Sequence, residues 1–206
     1  MSGPTNYQWV ITSTNYDGTA APKSLRFDGI DDYLNLPYMG LYANGSASVI
    51  SATSLLPTNN NNAVYSLNEG SGTDINPIYA FDVKPITSSC SGVFIRSNTG
   101  GVMLDTTTLT QRLSAIAGIA SYIDTGSTMT TYANASVLKN SIYSRTGVLT
   151  SNRMTYGALG RVGVSLFNSF NSYGLIITKS ALSDKDRRRC EQFLASRLTS
   201  LGVTLS

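Results

Sequence analysis

The chain has 206 residues, enough for one generous all-β domain or two small ones. Only 13% of residues are charged, where an ordinary soluble domain has about 25%, and Ser (28), Thr (23) and Asn (16) together make about a third of the chain. The absence of His excludes Ser–His and Cys–His nucleophile pairs, His-ligated metals and imidazole acid–base chemistry, and a net charge of +3 is too small to mark a nucleic-acid-binding surface.

Residues 1–22 are punctuated by Gly3-Pro4, Asp17-Gly18 and Ala21-Pro22. They read as an N-terminal arm, or a peripheral strand around Trp9-Val10-Ile11, ahead of a domain spanning 23–206. Short β-type runs follow: Ser24 to Phe27, Tyr33 to Leu36, Ser48 to Ile50, Ala63 to Leu67, Ile78 to Val83, Gly92 to Ile95, Gly101 to Leu104 and Leu113 to Ala117. Each is too short for a stable helix and rich enough in β-branched or aromatic residues for a strand. Pro57 to Asn62 reads as an exposed loop. Strands about ten residues apart, with no long helix between them, predict an antiparallel β-sandwich or jelly roll.

The terminal segment breaks this pattern. Ser183 is placed to N-cap a helix whose first turn carries Asp184 and Asp186, both favourable near the positive end of the helix dipole. Cys190, Phe193, Leu194, Arg197, Leu198 and Leu201 recur at helical spacing, and Gly202 supplies a stop. The expectation is an amphipathic helix over 184–201, with Arg187-Arg188-Arg189 on a solvated face, the alternative being contact with phosphate or an acidic partner.

Cys90 and Cys190 lie a hundred residues apart without CxxC spacing and read as unpaired structural thiols, with a disulfide closing the domain as the alternative. Asn44-Gly45-Ser46 and Asn134-Ala135-Ser136 match the glycosylation sequon, which matters only in a secreted chain. The start has neither a basic leader region nor an apolar core segment, and no run approaches the ~20 apolar residues of a spanning helix. The expectation is a chain made in a cytosol, without membrane insertion.

Three stretches carry a resemblance. Leu25 to Leu34, with Phe27-Asp28-Gly29 and Asp31-Asp32-Tyr33, is similar to the opening strand pair of the concanavalin-A-like superfamily in its laminin-G-like form. Ser121 to Ser127 and Met129 to Asn134 resemble the family's paired hairpins. Gly157 to Arg161, Tyr173 to Ile177 and Ala181-Leu182-Ser183-Asp184 resemble its ending before a terminal helix. The resemblance spans residues 24–202 and implies a concanavalin-A-like jelly roll closed by one C-terminal helix packed across the sandwich edge. Such domains are abundant in bacterial and bacteriophage surface proteins.

Asp28-Gly29 suits a tight turn that returns Tyr33 beside Phe27 on an adjacent strand. Asp124-Thr125-Gly126 suits a second turn. The family usually has Asn-Gly where this chain has Asn134-Ala135; Ala at positive φ costs about 1 kcal/mol, which predicts a longer loop there.

Function divides along several lines. Glycanases of the superfamily carry paired carboxylates on one strand, and this chain has only Glu69 and Glu191, so no enzyme is expected. Asp31 and Asp32 are the weak candidates for a calcium ion; adjacent strand side chains point to opposite faces, so no cofactor is expected. Tyr38, Tyr42, Tyr65, Tyr79, Tyr143, Tyr156 and Tyr173, with Asn59 to Asn62 and Asn168 to Asn171, supply candidate aromatic and amide groups for sugar contact. The leading expectation is a non-catalytic virion protein, a capsid or tail decoration subunit of a tailed bacteriophage. It would be a homo-oligomer or lattice-bound among other virion proteins, with Tyr7, Trp9, Val10 and Ile11 as an assembly arm. The alternative is a lectin-like adhesin or tail-fibre module that binds a cell-surface glycan.

Overall fold

The computed structural model describes residues 24–41, 45–55, 65–70, 79–86, 89–96, 102–109, 118–142, 153–160, 164–165, 167 and 169–205. These form two antiparallel six-stranded sheets and a terminal helix. Sheet A has the spatial order β1 (Leu25–Asp28), β14 (Ser169–Thr178), β3 (Ala47–Leu55), β8 (Gly118–Asp124), β9 (Thr128–Ala133), β10 (Ser136–Ile142). Sheet B has the order β2 (Leu34–Leu36), β11 (Arg153–Tyr156), β4 (Tyr65–Gly70), β5 (Tyr79–Ile86), β6 (Ser89–Arg96), β7 (Val102–Leu109). A short pair, β12 (Leu159–Gly160) and β13 (Val164–Ser165), stands apart. The expected all-β sandwich with one C-terminal helix is the fold. The expected strands at Trp9 to Ile11 and Leu113 to Ala117, and the Pro57 to Asn62 loop, lie outside the described residues.

An aromatic trio ties the layers together. Phe27 and Phe170 are register partners in sheet A and stack with ring centroids 4.5 Å apart. Tyr156 from sheet B meets both rings edge-on at 5.4 Å, and its hydroxyl shares a 2.8 Å hydrogen bond with Ser172 Oγ. All three rings are buried, so their apolar area contributes roughly 1.5–3 kcal/mol each before entropy is counted.

The opening motif behaves differently from its expected hairpin. β1 pairs with β14 in sheet A, whereas β2 pairs with β11 in sheet B, so the Asp28-Gly29 turn carries the chain from one layer to the other. Gly29 takes the anticipated positive φ of 85°. The crossing follows from the partners: β14 occupies the inner edge of β1, and Tyr33 emerges exposed beside Phe167 instead of returning to Phe27. The second motif does form hairpins, with β8, β9 and β10 consecutive in sheet A.

The helix α1 (Asp184–Ser200) begins where Ser183 predicts, the Asp186 N–H donating to Ser183 Oγ. Leu201 caps the other end and Gly202 follows at φ 67°. Its position corrects the expectation of edge packing: α1 lies on the outer face of sheet A, over β3, β8 and β14. Leu194 and Leu198 bury against Ile50, Ala52 and Ile119, with Ile176, Leu182 and Cys190 around them. Sheet A is therefore covered on both faces, which explains why every described side chain of β3 from Ala47 to Ser54 is buried although it reads as a mixture of apolar residues with Ser and Thr. Gly174 permits this approach, since a Cβ there would come within 2.6 Å of Leu194 Cδ2. No helix among the described residues is long and apolar enough to cross a membrane.

Candidate functional site

The inner face of α1 carries an ionic network whose centre, Arg187 and Glu191, is buried and whose outer members, Asp184 and Arg188, are exposed. Spacings of three and four place Asp184, Arg187, Arg188 and Glu191 side by side. Arg187 donates from Nη1 to Glu191 Oε1 at 2.5 Å and from Nη2 to Asp184 Oδ1 at 2.5 Å, while its guanidinium lies 3.8 Å over the Tyr132 ring. Ser121 Oγ on β8 also donates to Glu191 Oε1, at 2.6 Å. Arg188 Nε reaches Asp184 Oδ2 at 2.7 Å. Burial opposes the charge on Arg187, but the bonds to Asp184 and Glu191 outweigh it and raise its pKa above the ordinary value. The same bonds from Arg187, then Arg188, hold the Asp184 carboxyl below the usual range.

This corrects the expected solvated Arg187-Arg188-Arg189 run. Arg187 is only 1% exposed, whereas Arg188 and Arg189 are exposed and bridge to Asp184 and Asp186 on their own helix. Helical periodicity assigns a face but not its depth: Arg187 is carried inward by the Tyr132 ring and by Glu191, neither of which a basic tripeptide announces. Glu191, one of the two Glu in the chain, is committed to this network.

Beside the network lies a cleft of about 320 Å³, between α1 and the start of β8. Ile119, Ala135, Ala195 and Leu205 supply its apolar lining; Asn134, Arg188, Glu191 and Gln192 supply polar groups. Glu191 Oε2 is buried and accepts no hydrogen bond. One wall is the turn between β9 and β10, where the expected longer loop gives way to a two-residue turn: Ala133 pairs with Ser136, leaving Asn134 at φ 45° and Ala135 at φ 69°. Two bonds to one neighbour offset the strain. Asn134 N–H donates to the Ile119 carbonyl and Ile119 N–H donates to Asn134 Oδ1, both at 2.9 Å. The Asn tolerated at positive φ was legible; its anchor fifteen residues away in sequence was not.

The other candidate residues are scattered. Asp31 and Asp32, expected to diverge along a strand, instead lie in the turn before β2, their carboxylate oxygens within 4.8 Å of each other and of Asp28. Asp32 Oδ2 accepts the Asp28 N–H at 3.0 Å and Asp28 Oδ1 accepts the Ile30 N–H at 2.7 Å, a turn-closing role. Tyr38 is exposed, Tyr156 is buried in the aromatic trio, and the Tyr173 hydroxyl shares a 3.2 Å bond with Ser54 Oγ. Asn171 Nδ2 donates to the same Ser54 oxygen. Tyr65 and Tyr79 begin β4 and β5. Tyr7, Trp9, Val10, Ile11, Tyr42, Tyr143, Asn59 to Asn62 and Asn168 lie outside the described residues. Cys190 is a free thiol in the helix core, its pKa pushed up by burial, and Cys90 lies in β6.

No protein-family profile and no curated protein sequence matches the chain. Solved structures do. The NanB sialidase from Streptococcus pneumoniae superposes with a TM-score of 0.58 at 14% identity, over 80% of this chain and 26% of that one. The CBM40 of the Ruminococcus gnavus IT-sialidase, bound to alpha2,3 sialyllactose, superposes with a TM-score of 0.55 at 15% identity, over 79% of this chain and 95% of that one. The binding domain of Botulinum Neurotoxin DC, in complex with SialylT, gives 0.56 at 11% identity, over 82% and 42%. The chain thus spans about a quarter of the sialidase but nearly all of the CBM40. At these identities the likeness shows the jelly-roll sandwich fold.

Proposed function

We propose that this chain is a non-catalytic glycan-binding module. The observation that carries the reading is the extent of the fold match: 95% of a sialyllactose-bound CBM40 is covered, against 26% of a whole sialidase. The chemistry agrees with it. The chain has no His, and Glu191, one of its two Glu, is engaged in an ion pair and so is not a free carboxylate of the kind a retaining glycanase uses. The surplus of Ser, Thr and Asn supplies hydroxyl and amide partners for sugar hydroxyls. The test is a glycan array probed with the purified full chain, sialyllactose included. Retention of one glycan class is the expected result; a blank array at high protein concentration overturns the reading.

These neighbours favour glycan contact over particle assembly as the primary role. Virion assembly through residues 1–22 stands as a second reading because of one feature of the surface. Leu25, Ile30, Tyr33, Leu34 and Tyr38 are all exposed on the margin formed by β1 and β2, next to the junction with that segment. In this reading the margin is buried on a neighbouring virion protein or a second copy. Its loss would appear in self-association and particle incorporation, with little change in stability.

A further inference from the structure

We infer that the cleft between α1 and the β9–β10 turn is the glycan site, and that its ligand is a neutral N-acetylated sugar; the inference rests on the glycan-binding reading above.

Charge comes first. Of the groups around the cleft, Asp184 and Glu191 carry two negative charges and Arg187 and Arg188 two positive ones, and all four are paired with one another. An acidic sugar would find no uncompensated cation here, because the Arg188 guanidinium that reaches the mouth already holds Asp184. Entry of a carboxylate would set it against Glu191. A neutral ligand meets no such opposition.

Shape and lining narrow the class. About 320 Å³ is at the lower end of small-molecule sites, which run about 300 to 1,000 Å³, so the cleft suits one sugar ring rather than a chain lying across it. No aromatic side chain among the described residues lines it, so they supply no stacking platform of the kind on which an unsubstituted pyranose rests. Its aliphatic wall of Ile119, Ala135 and Leu205 suits a methyl group instead, and an acetamido substituent presents one. That substituent also brings an N–H donor and a carbonyl acceptor. Gln192, exposed at the cleft, carries a carboxamide able to accept from that N–H and donate to that carbonyl, while Glu191 Oε2 lies buried beneath the lining. The strained Asn134-Ala135 turn forms the opposite wall, pinned to Ile119 and therefore pre-organised.

The experiment is residue-resolved amide NMR on the isotope-labelled full chain, titrated separately with di-N-acetylchitobiose, cellobiose and alpha2,3 sialyllactose. Shifts centred on Ala135, Gln192 and Ala195 are expected with di-N-acetylchitobiose. Cellobiose should bind about tenfold more weakly or worse, since it lacks both the methyl and its amide, and sialyllactose should also bind more weakly. Gln192→Trp, at an exposed helix position, should fill the cleft and abolish the shifts without moving Tm. If that variant is misfolded, the map in the unmodified chain decides alone. Equal binding of cellobiose, or tighter binding of sialyllactose, overturns the ligand class. Shifts confined to other residues overturn the location. In each of these cases a positive glycan array leaves the module reading intact, whereas a blank array and an unshifted spectrum overturn both.

Discussion

Two regions of the sandwich surface were given similar apolar material and opposite fates. On the outer face of sheet A, Ile50, Ala52 and Ile119 lie beneath Leu194 and Leu198 of α1, and Asp184, Arg187, Arg188 and Glu191 of the helix are gathered into one paired network. On the margin formed by β1 and β2, Leu25, Ile30, Tyr33, Leu34 and Tyr38 remain exposed, and the nearby carboxylates of Asp28 and Asp32 close a turn. The first is closed by a helix of the same chain, whereas the second leaves its apolar side chains in solvent. The difference teaches that a strand's apolar content does not say whether its cover comes from the same chain.

Breaking the covered face should give the largest effect. Glu191→Ala leaves Arg187 buried with one partner gone, and uncompensated buried charges typically cost about 3–5 kcal/mol. The lower end is expected because Asp184 still meets the guanidinium. Urea unfolding at neutral pH measures it, and Glu191→Gln, which retains an acceptor for Ser121, should lose less.

A milder test uses acid. The folded-state pKa of Asp184 is lowered from its usual 3.8 by its bonds to Arg187 and Arg188, so its contribution is fully present above that value. It is lost as pH falls through the lower folded-state pKa. The urea midpoint should therefore drop below about pH 4, and Asp184→Asn should flatten that part of the profile by removing the same contribution already at neutral pH.

The smallest effect on stability belongs to the margin. If residues 1–22 act as the proposed assembly arm, their removal should leave the unfolding free energy within about 0.5 kcal/mol of the full chain. The described sandwich begins at β1, after that segment. Sedimentation of both chains would show whether association depends on the arm; unchanged association and unchanged particle incorporation would remove the assembly reading.

Local chemistry made a good part of this molecule legible. Short β-type runs foretold the positions of β1 to β7, although β3 and β7 each continue five residues past theirs, and Ser183 with Asp184 and Asp186 marked the start of α1, because strand patterning and helix capping act over a handful of neighbours. The turn at Asp124-Thr125-Gly126 was legible for the same reason: Gly126 N–H donates to Asp124 Oδ1 two residues back. Candidate site residues fared worse. The tyrosines could be named as a class, yet Tyr156 is buried in the aromatic trio and Tyr38 is exposed, a sorting made by sheet neighbours distant in the chain. The cleft was missed altogether, since Ile119, Ala135, Gln192 and Leu205 have no shared motif and meet only when α1 lies over β8.

By itself the sequence determined the fold class, the terminal helix and the absence of His-based chemistry, all consequences of composition and of interactions reaching no farther than a turn or a strand. Tertiary structure decided the rest. It sent the Phe27 turn between the two sheets and laid α1 on the face of sheet A instead of its edge. It buried Arg187 against Tyr132 and Glu191, and held Ala135 at positive φ by anchoring Asn134 to Ile119. Each of these outcomes is a balance between a local preference and a long-range partner, and the partner's position exists only once the sheets have assembled.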